Sequence, residues 1–216
     1  MITTGNNLEQ VQRDLLKMGS LVEETMKMAI QALRDQNVEL ARTVIERDDA
    51  IDNFQIVIEE EIERTVSATP ALGFDLKRDF AMIKIVNDLE RIGDYATNIA
   101  EVVLELKQQD YLKPLIHIPK LAALAMNMVS TVLKAFVEKN GDLAEAVCKK
   151  DEDADNLYDE ICDELVRLTS QDMNPQQAYQ ISRFLLIAEW LERAADHATN
   201  IGEETIYILT GQRVKY

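Results

Sequence analysis

Residues 87–101 read NDLERIGDYATNIAE, and residues 189–203 read EWLERAADHATNIGE. Nine of these 15 positions are identical at an offset of 102: Leu, Glu, Arg, Asp, Ala, Thr, Asn, Ile and Glu. Upstream, VIERDDAIDN (44–53) matches VCKKDEDADN (147–156) at an offset of 103, and Asn37, Leu40 and Ala41 map onto Asn140, Leu143 and Ala144. A period near 103 is far longer than that of a solenoid repeat, so the chain is one unit duplicated. Around the first stretch, Ile85, Leu89, Ile92, Ala96, Ile99, Val103 and Leu106 step by alternating fours and threes. That spacing draws one apolar seam along a helix packed in a bundle. The seam recurs as Ile187, Leu191, Ala194, Ala198, Ile201, Thr205 and Ile208.

The breaks lie between such segments. Pro70 with Gly73, Pro114 with Pro119, and Pro175 punctuate the chain, and Asn37 and Asn140-Gly141 mark two further turns. The periodicity predicts helices at 7–36, 38–67, 74–109, 119–139, 142–170 and 175–210. No alternating run of β-branched residues reads as a strand. The predicted fold is all-α: two tandem, sequence-related three-helix bundles, residues 1–112 and 113–216.

Composition agrees. Of 216 residues only 7 are Gly and 4 Pro, against roughly 15 and 11 at average usage. Hydrophobic residues make up 47%, too many for a disordered acidic chain. With 39 Asp and Glu against 23 Lys and Arg, the net charge is −16, which repels nucleic acid and anionic membrane surfaces. No signal peptide and no membrane span is expected, which points to the cytoplasm. Cys148 and Cys162, read as lying 14 residues apart on one helix and so ~21 Å from each other, cannot pair within the chain.

Most acids here read as solvated helix surface, but four pairs differ. Asp48 with Asp52 and Glu90 with Asp94 stand four apart, and their repeats are Asp151 with Asp155 and Glu192 with Asp196. Each pair shares a helix face, where like charges repel mildly, and each flanks an apolar seam. If the second and third helices of each half pack together, four carboxylates converge at one groove edge. Clustered hard oxygens suit Fe³⁺, Mn²⁺, Mg²⁺ or Ca²⁺. The alternative is a salt-bridged bundle edge, with Arg91 and Arg193 pairing to acids on a neighbouring helix. Asn98 and Glu101, with Asn200 and Glu203, extend the polar stripe.

Other constellations carry less. His117 and His197 lack the Glu-x-x-His spacing of a di-iron oxidase site; His197 reads as an exposed or capping residue, or as an extra ligand beside Asp196. There is no phosphate-binding glycine loop, serine nucleophile elbow or zinc-spaced cysteine pair. Gly93 and Gly202 sit inside helices, as close packing requires, and Trp190 and Phe184 read as core. Nothing in the residues argues for an enzyme, although two bridged metals could activate water in a phosphohydrolase. A plain helical scaffold is the third reading.

LERIGDYATNIAE and LERAADHATNIGE, with the duplicated length and six helices, make the whole chain resemble the PhoU family of phosphate-uptake regulators. The family's Glu/Asp-x-x-x-Asp motif stands here as Glu90 with Asp94 and Glu192 with Asp196, and its second set as Asp48 with Asp52 and Asp151 with Asp155. Residues 70–77, PALGFDLK, look like the family's loop entering the third helix, with Lys77 where Arg is usual. The resemblance implies a homodimeric, cytoplasmic negative regulator of phosphate uptake and phosphate-starvation signalling. Such a protein links the ATPase and permease components of a phosphate-specific ABC transporter to a sensor histidine kinase. Some members of the family carry multinuclear iron or another metal on the acidic motifs and others carry none, so the resemblance makes these carboxylates candidate ligands of such a cofactor.

Overall fold

The computed structural model describes residues 3–68, 74–107, 109–169 and 172–216. Among them are eight helices and no strand: α1 (Thr3–Asp35), α2 (Val38–Glu46), α3 (Asp48–Ala68), α4 (Phe74–Glu105), α5 (His117–Glu138), α6 (Gly141–Cys148), α7 (Asp151–Thr169) and α8 (Pro175–Thr210). Of the predicted loop at 70–77, residues 70–73 lie outside the described residues and 74–77 open α4.

α1 and α5 end alike. Gln36 and Lys139 take left-handed φ of 51° and 54°, and the next amide reaches back five residues, Asn37 to the Ala32 carbonyl and Asn140 to Ala135, both at 2.9 Å. This bond satisfies a helix-end carbonyl. Asn37 and Asn140 then cap the following helices, accepting from Leu40 and Leu143 amides at 3.0 Å.

The predicted helices 38–67 and 142–170 are each broken. Arg47 N–H bonds the Val44 carbonyl and Ala50 N–H bonds Arg47, all three residues back, and Lys150 with Asp153 repeats the pattern. The tightened turn starts a fresh helix whose first turn carries Asp48 and Asp49, or Asp151, Glu152 and Asp153. Negative charge there is favoured by the helix dipole. The break also separates Cys148, on α6, from Cys162, on α7; both are free thiols.

α4 and α8 lie side by side at the centre, and α1 packs against α5. The seam from Ile85 to Leu106 is buried throughout, as is its repeat from Ile187 to Thr205, and one contiguous core takes residues from both halves. Close approach demands glycine on each of the two central helices. A Cβ on Gly93 would sit 2.8 Å from Ile51, and one on Gly202 would sit 2.5 Å from the Cys148 sulfur and 3.3 Å from the Ala144 carbonyl. Phe184 is core and Trp190 packs against it.

The connection between the halves is tied down. Tyr111 donates to the Leu33 carbonyl at 2.9 Å and meets Phe184 edge-on at 5.2 Å. Buried Gln180 accepts from Leu112 N–H at 2.6 Å and donates to the Asp110 carbonyl at 3.2 Å. α5 holds an 18-residue window of mean hydropathy 1.4, so one described helix is long and apolar enough to cross a membrane, where the sequence reading found none. More than half of that window is buried, against α1, α6, α7 and α8.

Candidate functional site

The turn before α3 sets Asp48 at the helix start, and α3 packs antiparallel on α4. Thr97 on α4 donates to Asp48 Oδ1 at 3.0 Å. The second half repeats the bond from Thr199 to Asp151 Oδ1 at 3.1 Å. These threonines belong to the identical ATN triplets, yet the spacing of acids gave no reason to single them out.

Asp48, Asp52, Glu90 and Asp94 face one another. Burial raises the Asp52 carboxyl above its ordinary value, and the charges of Asp48 and Asp94 add to it. Burial raises Glu90 too, followed by Asp94, then Asp52 and Asp48, with Arg91 opposing. Arg91 does not reach a neighbouring helix; it bonds Asp94 at 2.9 Å and approaches Glu90 at 3.5 Å within α4.

In the second half Asp151, Asp155, Glu192 and Asp196 are arranged alike, with less relief. Burial, then the charges of Asp196, Asp155 and Asp151, push Glu192 up to about 7. Asp196 rises by burial, Asp151 and Asp155. Asp151 rises by burial, then Asp155 and Glu203, against the Thr199 bond. Arg193 turns instead to Glu189 at 2.9 Å on its own helix and also reaches Tyr95 on α4. Glu203 is held by the C-terminal segment, accepting from Tyr216 N–H at 2.9 Å, whereas Glu101 is exposed.

The all-oxygen donor chemistry fits a hard cation. The spacing is looser: among the described residues no three His, Cys, Asp or Glu side chains are gathered as a metal ion would need. Binding therefore requires carboxylates to rotate inward, and the second quartet, free of an arginine bridge, is the better placed.

His197 is neither exposed nor a cap. Its Nδ1 donates to Asp88 at 2.8 Å and its Nε2 faces the Tyr95 hydroxyl at 3.2 Å, so it links α8 to α4 across the halves. Tyr95 and His197 are the same position of the repeat, and they touch. His117 joins Lys113 on Glu164, away from the quartets.

A family model described as the PhoU domain matches the chain twice, over residues 15–103 and 118–205. A phosphate-specific transport system accessory protein PhoU homolog of Clostridium acetobutylicum is 36% identical over 97% of this chain and 95% of its own length. The homolog so named from Aquifex aeolicus is also 36% identical, over 97% and 94%. The crystal structure of PhoU from Pseudomonas aeruginosa superposes with a TM-score of 0.90 at 32% identity, covering 96% of this chain and 99% of that one. The phosphate transport system regulatory protein PhoU from Streptococcus pneumoniae gives 0.90 at 28% identity, over 99% and 100%. Matched in both halves and along nearly its whole length, the chain belongs to the PhoU domain family.

Proposed function

We propose that this chain is a non-enzymatic accessory regulator of a phosphate-specific transport system. Acting in the cytoplasm as a homodimer, it restrains phosphate uptake and the phosphate-starvation response by linking the transporter's ATPase and permease to a sensor histidine kinase. The observation that carries this reading is the full-length likeness to relatives named as transport-system accessory proteins. The duplicated carboxylate quartets support it, because both halves present a partly buried acidic surface of the same kind. The test is complementation in a bacterial host lacking its own member of the family and carrying a starvation-responsive reporter. Restored repression at high phosphate is expected; a reporter that stays on overturns the reading.

Within this function, Asp151, Asp155, Glu192 and Asp196, and more weakly Asp48, Asp52, Glu90 and Asp94, hold iron or another hard cation. The metal would neutralise the quartet's mutual repulsion. Elemental analysis of protein purified without a metal-affinity tag should find metal that Glu192→Ala with Asp196→Ala removes from the second half. Equal metal content in variant and parent sinks the assignment.

A further inference from the structure

We propose that the outer face of α3 and α4 is a docking groove for an amphipathic, basic-rimmed helix of a partner protein. Phe80 is 61% exposed, Ile56 53% and Val57 50%. Gln55 meets Asn87 at 2.7 Å, and beyond that contact opens a groove of about 330 Å³ lined by Ile62, Val66, Leu76, Phe80 and Ile83, with Glu63 on its rim. Scattered exposed apolar residues need no explanation, but a groove walled by aliphatic side chains with exposed Phe80 at its mouth marks an interaction site, and Ile56 and Val57 continue the apolar surface along α3 outside its lining.

The duplication supplies an internal control. Where the first half has Phe80, Ile56 and Val57, the second has Ser182, Asp159 and Glu160, all exposed. The fold is content with polar side chains at these positions, so their apolar character is not a packing requirement. From Ile56 to Val66, α3 spans ~15 Å, about three helical turns. That length matches a partner helix inserting residues at i, i+3 or i+4, and i+7.

Charge selects the occupant. Glu63 lines the groove on α3, with Glu59 and Glu60 further along that helix, and Asp79, paired with Arg78, lines it on α4; Arg64 is engaged by Glu60 and Glu61, and Lys77 is an exposed base towards the start of α4. A second copy would set these acids against acids, and an anionic lipid surface would meet a chain of net charge −16. An apolar stripe flanked by Lys or Arg satisfies both the walls and the rim.

The test uses the full chain and a labelled 18-residue Leu/Lys peptide with Leu at i, i+3, i+4 and i+7, titrated by fluorescence anisotropy. Saturable binding of one peptide per chain is expected, weakened by salt and by Glu59→Gln with Glu63→Gln. Phe80→Ser should weaken it at least tenfold, and Ile56→Asp likewise, each variant installing the residue type that the second half carries. Val166→Ser, on the second half's own exposed valine, should leave affinity unchanged, and a Leu/Glu peptide should not bind. Unaltered circular dichroism and melting establish that Phe80→Ser is folded. Equal affinity of parent and folded Phe80→Ser overturns the proposal. So does a dimer that Phe80→Ser dissociates by light scattering, or pelleting with phosphatidylglycerol vesicles that Phe80→Ser abolishes.

Discussion

At Glu192 the fold works against ionisation: burial and three neighbouring carboxylates push its pKa up to about 7, from an ordinary 4.5. Between those two values the folded chain binds more protons at this site than the unfolded chain, so stability falls as pH rises through the window. Glu192→Gln should flatten that decline, and thermal melts of variant and parent from pH 4.5 to 7.5 should converge at the acid end and separate in the variant's favour at the neutral end. Parallel curves would show that Glu192 ionises as if in water. Thr199→Val removes the Asp151 hydrogen bond and should cost about 1 kcal/mol by denaturant titration. The acids were legible because i, i+4 spacing on an apolar-edged helix is a pattern of charge. The threonines were not, because a hydroxyl inside a helix reads as neutral filler until its partner across the groove is known.

Helix ends were readable where an element announces itself chemically. Asn37, Asn140 and Pro175 each stand at or beside a true helix start, and Asn140→Ala should cost about 1 kcal/mol in an equilibrium melt. The breaks at Arg47 and at Lys149 with Lys150 were not readable. No Gly or Pro stands there, and the acids that open α3 and α7 read equally well as the solvated face of one continuous helix, so the turn is set by the packing of α2 and α6 on α4 and α8. Gly202 shows the same tertiary control. Gly202→Ala should destabilise by about 1–3 kcal/mol, the usual penalty of overpacking. Adding Cys148→Ala removes the sulfur at 2.5 Å and should recover part of the loss in a double-mutant cycle, while the Ala144 carbonyl keeps recovery incomplete. Full additivity of the two substitutions would mean that they do not share this contact.

Two sequence units do not imply two separable bodies. The core is contiguous across the halves, the linker is held by α1 and α8, and buried Glu204 takes Lys84 of α4 at 2.6 Å. Calorimetry should therefore give one unfolding transition, and residues 1–112 expressed alone should lack a cooperative melt; two resolved transitions would contradict a shared core. The duplication was plain in the sequence, whereas the sharing was not, because a buried seam looks the same whether it faces its own half or the other.

Tyr95 and His197 occupy one repeat position and touch each other. Two unfused copies of a half would face identical side chains there, since a twofold contact makes both partners present the same patch. Fusion lifts that constraint. A phenol now meets an imidazole, and Asp88, whose counterpart is Trp190, lends its carboxylate on one side alone. The duplicated scaffold is thereby asymmetric at the very contact where its two halves meet.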